Sequence, residues 1–209
     1  MAQRSPRNPL PAPHKRPKQA RSQFTLQALY DAFVRIWRRD GAKAATMRAV
    51  AAEAGYAVGT LYEYFPNREA LLSGYYRHCL DALCRRLRDR DAAAEAGTPW
   101  RARLRGLVSV TLDETRQAPY FDAEMLLNES TVADAAQHRK AFALLCATWH
   151  SLLSSWPELA ALDRARIEAL VTTLWGARRY GILLGQRKAT ATDVDRMTAM
   201  LVPLLEDRS

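Results

Sequence analysis

Residues 46–72 read TMRAVAAEAGYAVGTLYEYFPNREALL, and the way this stretch is punctuated decides the fold class. Thr46 brings a side-chain oxygen that can accept from the free N–H groups of a helix start. Behind it, Met47, Val50, Ala51 and Ala54 recur at helical spacing and make one apolar face. Ala49, Ala51, Ala52 and Ala54 keep this short helix thin, so a neighbour can approach closely. Gly55 supplies the φ > 0 freedom that a tight turn requires. A further short helix is predicted over about 58–64, with Leu61 and Phe65 turned inward. Pro66 breaks the chain, and Asn67 can cap a long helix with Glu69 in its first turn.

Upstream, Leu26, Leu29, Phe33 and Ile36 lie on one face of an amphipathic helix over about 24–39. Arg38 and Arg39 complement its C-terminal dipole, and Gly41 stops it. A packing helix followed by two short helices joined at a glycine is the layout of a helix-turn-helix. The second helix of such a pair must be short and exposed on one face to enter a major groove about 12 Å wide. The first must carry small residues to brace it.

The charge distribution agrees. The 209 residues carry a net charge of +9. Arg4, Arg7, Lys15, Arg16, Lys18 and Arg21 stand before residue 23 with no acid among them, and residues 1–80 carry +8 of the total. A basic front on a near-neutral back points to a front that meets a polyanion. Pro6, Pro9, Pro11, Pro13 and Pro17 forbid helix over residues 1–17 and favour an extended arm.

Beyond Leu80 the periodicity is helical only, with spans expected at about 67–94, 99–117, 119–129, 132–155, 163–187 and 191–206. Pro203 is expected to end or kink the last of these. No segment alternates with period two, so the fold class is all-α: a three-helix DNA-binding head ahead of a helical body. The boundaries are an arm at 1–17, a head at 18–66 with its helix-turn-helix at about 46–65, and a body at 67–209. No run of about 18 apolar residues could span a membrane. No secretory signal is visible at the start. Three cysteines do not make a disulfide framework, and the expected compartment is the cytoplasm. Enzyme signatures are missing: no Gly-x-Ser-x-Gly, no Walker-type loop, no His-Glu-x-x-His and no Rossmann fingerprint. His14, His78, His138 and His150 show no metal-ligand spacing, so neither a metal nor a cofactor is expected.

Residues 46–72, and above all Val58–Phe65 with Asn67–Leu72, closely resemble the DNA-binding signature of the TetR family of bacterial transcriptional regulators. The resemblance covers about residues 18–80. It implies a homodimer that reads the two halves of a palindromic operator on double-stranded DNA and is released by a small molecule in the body. Repression is the mode it implies. The rival readings are a non-specific or architectural DNA-binding protein, and a regulator whose body binds another protein.

Carried over residue by residue, the resemblance implies DNA contacts from Arg16, Lys18 and Arg21, from Thr46 and Arg48, from Val58, Gly59, Thr60, Tyr62, Glu63 and Tyr64, and from Arg68. Arg48 can reach a guanine edge or a phosphate. Gly59 lets backbone come close to DNA. Thr60 can meet a phosphate or a thymine methyl, and the tyrosine hydroxyls can fix register on phosphates. Arg68 and the helix start beside it can hold a phosphate. Two features depart from the usual pattern. Ala57 replaces the common Ser or Thr cap, and Glu63 places an acid near the DNA, to accept from a cytosine amino group or to repel wrong sites.

In the body, an apolar, aromatic cavity would suit a lipophilic effector. Candidate contacts are Trp100, Phe121, Trp149 and Trp175, with Glu124, Asn128, His150 and Thr172 as the polar groups. The alternative is a plain helical core. The last two helices are the expected dimer surface. Leu174, Gly181 and Ile182 lie on one, and Val194, Met197 and Leu201 form a heptad-like seam on the other. That seam could instead pack within its own subunit. Transmission is expected through the helix that begins at Asn67. An effector would tilt it and change the spacing of the two recognition helices.

Overall fold

The computed structural model describes residues 20–112, 119–185 and 189–206. Among them, every regular element is helical: α1 (Ala20–Asp40), α2 (Met47–Ala54), α3 (Val58–Tyr64), α4 (Arg68–Ala92), α5 (Trp100–Leu112), α6 (Ala123–Val132), α7 (Ala135–Leu153), α8 (Arg164–Leu183) and α9 (Ala191–Glu206). The local signals act at the positions the sequence marks. The Thr46 side chain accepts from the Ala49 N–H at 3.2 Å. Gly41 and Gly55 sit at φ +84° and +75°, where a side chain would be strained. Asn67 Oδ1 accepts from the Ala70 N–H at 2.8 Å. Ala57, with no side-chain acceptor, starts α3 without a side-chain cap.

Several boundaries differ from expectation: α1 begins at Ala20 rather than about 24, α7 at Ala135 rather than 132, and α8 ends at Leu183 rather than 187. Two further differences have visible reasons. α6 begins at Ala123 rather than near 119, because Asp122 caps it by accepting from the Met125 N–H at 2.8 Å. α9 runs on through Pro203 to Glu206. The proline removes one N–H donor, but its fixed φ is itself helical, so the last turn can still follow it. The expected extension of α5 to 117 falls on residues outside those described.

The described residues divide into two compact units: those up to 77 together with 128–134, and those from 78 to 127 together with those from 135 onward. The division falls inside α4, not at its first residue. The physical reason is that the first turns of α4 belong to the core of the first unit. Leu71 and Tyr75 are buried there, and the Tyr75 ring packs tilted against Phe33 and edge-on against Tyr30 at centroid distances of 5.3 and 5.5 Å. Leu29, Ile36, Val50, Leu61 and Phe65 complete that core.

The second unit closes over a larger core, in which Leu83, Leu87, Leu104, Trp149, Trp156 and Leu170 are buried. A buried Trp needs a partner for its indole N–H. Trp156 Nε1 donates to Asp91 Oδ1 at 3.2 Å. The same oxygen accepts from Arg103 Nη2 at 2.7 Å and Nε at 3.0 Å, and the Arg103 guanidinium lies 4.6 Å from the Trp156 ring centre. One carboxylate thus joins α4, α5 and the turn that follows α7.

Candidate nucleic-acid interface

The site is built on α3. Leu61 and Tyr64 point into the core, so the opposite face is outward. Gly59 lies opposite the buried pair, with Tyr62 to one side and Glu63 to the other; all three are exposed, as is Val58. A Cβ on Gly59 would meet nothing within 4 Å. The fold therefore leaves open space over the backbone at this point. Arg48 on α2 is exposed as well, and Thr60 is half-buried at the rim.

The bracing of this face comes from groups far apart in the chain. Arg35 on α1 donates from Nε to Glu53 Oε1 on α2 at 2.8 Å, and from Nη2 to the Glu53 carbonyl at 3.3 Å. Arg39 reaches the other carboxylate oxygen at 3.4 Å. The Arg35 hydrogen bond is the main reason the Glu53 carboxyl sits below its ordinary range. Arg39 is in turn raised, first by its hydrogen bond to Asp40. These contacts fix α2 against the end of α1. They are invisible in the sequence, because they join two different helices across the turn between Asp40 and Met47.

The expected DNA set is only partly gathered here. Arg48, Val58, Gly59, Tyr62 and Glu63 share the exposed surface. Thr46 is exposed, with its hydroxyl engaged in the cap. Tyr64 is 6% exposed, its ring 6.4 Å from Phe65, and it supports α3 from beneath. Arg68 turns two donors inward: Nη2 to the Ala42 carbonyl at 2.7 Å and Nε to the Ala45 carbonyl at 3.1 Å. It clamps the start of α4 to the turn before α2. Arg16 and Lys18 lie outside the described residues, as does the side chain of Arg21.

The body candidates stand in different surroundings. Trp100 and Trp149 are buried in the core, and the half-buried Trp175 packs on it. Thr172 is exposed on α8, Phe121 lies just before α6, and Glu124 is in its first turn. Asn128 belongs to the segment grouped with the first unit. An open groove of about 870 Å³ lies instead between α7 and α8, lined by His138, Phe142, Cys146, His150, Ile167 and Glu168 among others. Of the expected set only His150 is in it. The signal that could have found the rest is the four-residue step of His138, Phe142, Cys146 and His150 along one edge of α7. The Cys146 thiol is pushed up, first by burial and then by Glu168.

On the expected dimer surface, Leu174, Ile182, Val194 and Leu201 are buried within the chain itself. Met197 packs on the same core, and Gly181 is half-buried. The large apolar groups that these helices leave exposed are Tyr180, Leu183, Leu184 and Met200. Among the described residues no His, Cys, Asp or Glu group could hold a metal ion, and no helix is long and apolar enough to cross a membrane.

A braced helix-turn-helix ahead of an all-helical body defines a DNA-binding transcriptional regulator. The sequence pattern of bacterial regulatory proteins of the tetR family matches residues 29–74. The HTH-type transcriptional repressor KstR of Mycolicibacterium smegmatis is 30% identical over 185 residues, covering 85% of this chain and 84% of KstR. The chain belongs to the TetR family. Solved structures share the fold. The multidrug binding protein EbrR, complexed with imidazole, has a TM-score of 0.63 at 20% identity, over 88% of this chain and 96% of its own. The fatty acid degradation regulator FadR of Bacillus halodurans has a TM-score of 0.55 at 19% identity, over 92% of this chain and all of its own. The protein is a transcriptional regulator and not an enzyme.

Proposed function

We propose that this regulator is a repressor that binds a palindromic operator as a homodimer in the cytoplasm and leaves it when a lipophilic effector binds the body. The observation that carries the operator reading is the division of α3: an inward pair, Leu61 and Tyr64, and an outward face of Val58, Gly59, Tyr62 and Glu63 beside Arg48. Such a face suits direct contact with base edges, with Arg48 placed for a guanine or phosphate. Thr60 stands at its margin, while Thr46 caps α2, Tyr64 supports α3 from beneath and Arg68 clamps the start of α4. The basic arm with Arg16, Lys18 and Arg21 adds contacts that carry affinity without sequence. KstR, a relative across most of the chain, is described as a repressor.

The dimer forms through the exposed Tyr180 of α8, Leu184 at its end and Met200 of α9. Their burial by a second copy would remove apolar surface from water, whereas Leu174, Val194 and Leu201 already have partners. A lipophilic effector fits a body rich in aromatic groups and the apolar-floored groove beside Phe142 and Ile167. The release signal passes along α4, an unbroken helix whose residues 68–77 are part of the head.

The test is fluorescence anisotropy on fragments of the host genome at fixed salt, followed by challenge with fatty acids and lipophilic drugs. The expected result is a preferred fragment bound roughly 10³-fold or more above random DNA, weakened by at least one compound. Equal affinity for all duplexes would make it a non-specific DNA binder. A tight ligand without effect on operator affinity would remove the effector coupling.

A further inference from the structure

Glu63 is an acid on the outward face of α3 to which the described residues give no partner. It is the penultimate residue of α3, where the negative end of the helix dipole opposes a carboxylate. The other acids of the head are each accommodated. Asp31 accepts from Gln27 at 2.8 Å, Asp40 from Arg39 at 2.9 Å, and Glu53 from Arg35 at 2.8 Å. Glu69 lies in the first turn of α4, where the dipole favours it. Glu63 is exposed, and among the described residues no hydrogen bond or ion pair holds it. Among the described residues, neither packing nor pairing gives this carboxylate a role in the fold.

The same charge opposes any phosphate it approaches. If the α3 face meets DNA, as the proposed operator binding has it, only a hydrogen-bond donor on a base edge can compensate. An ionised carboxylate accepts and cannot donate. In the major groove, donors are offered by the cytosine N4 and adenine N6 amino groups, whereas guanine and thymine present acceptors at the corresponding edges. Adenine sets its N7 acceptor beside the amino group, and that lone pair faces the second carboxylate oxygen. Cytosine carries no ring acceptor there. We infer that Glu63 is the specificity-determining residue that fixes a cytosine in each operator half-site. Its cost to general affinity is the means by which other bases are refused. This assignment rests on the proposed operator binding.

The experiment is selection from a randomised duplex library by the full chain as wild type, Glu63→Gln and Glu63→Ala, with thermal melting of each variant. Wild type is expected to enrich a half-site with one invariant cytosine. Glu63→Ala loses discrimination at that base pair alone, by roughly ten- to a hundredfold, and binds random DNA more tightly. Glu63→Gln moves the preference at the same position toward adenine, which glutamine recognises through N6 and N7. Both variants melt no lower than wild type, because an acid at a helix C-terminus contributes nothing to the fold. Enrichment of the same base by Glu63→Ala at every position, or a wild-type half-site without cytosine, overturns the inference. A wild type that enriches no sequence overturns instead the operator binding on which it rests.

Discussion

Asn67 shows how much one side chain decides in the head. Its Oδ1 satisfies the Ala70 N–H and so starts α4 just beyond Pro66. Asn67→Ala is expected to lower stability by about 0.5–2 kcal/mol, read by thermal denaturation. Glu53 carries a pH dependence. Its folded carboxyl is held below its ordinary value of 4.5, chiefly by Arg35. Its contribution is therefore complete above that value and is lost as pH falls through the lower, folded one. Glu53→Gln should make stability less dependent on pH below about pH 5 than in wild type, as measured by melting in a buffer series. Gly59 separates reading from folding, since a methyl group there meets nothing in the fold. Gly59→Ala should raise stability by up to about 1 kcal/mol while weakening operator binding in an anisotropy titration.

Among the elements, the short helices are legible in the sequence because their signals are local. Thr46, Gly55, Pro66 and Asn67 act within a few residues of themselves, and each fixes a boundary. α6 starts later than Pro119 suggests, because a proline marks a break without saying where the next helix resumes; its cap, Asp122, does that. What periodicity does not encode is which partner an apolar stripe meets. Leu174, Val194 and Leu201 have the same spacing whether they face their own subunit or another. The structure buries them within the chain and leaves Tyr180 at 67% and Met200 at 69% exposure. Leu174→Ala should thus cost about 2–5 kcal/mol of stability in a denaturant melt. Tyr180→Glu with Met200→Glu should leave the fold intact and yield a monomer by sedimentation. The contacts of Asp91 with Arg103 and Trp156 are equally unreadable, since they join positions 12 and 65 residues apart.

For the whole molecule, charge asymmetry sets the relation to DNA. Five of the basic residues, Arg4, Arg7, Lys15, Arg16 and Lys18, precede Ala20. Deleting residues 1–19 should make binding less sensitive to salt while the preferred sequence stays the same. The log–log slope should shrink by about 0.9 for each phosphate that the arm no longer neutralises. Binding isotherms at several salt concentrations, on operator and on random DNA, check both halves of that expectation. The first unit also has an unusual make-up: it draws residues 128–134, with the buried Val132, from the far side of the chain's midpoint. A gene fragment ending at residue 66 or 77 would encode an incomplete object. Attempts to graft this reading head onto another protein must therefore carry a sequence-distant patch along, or supply a substitute for it.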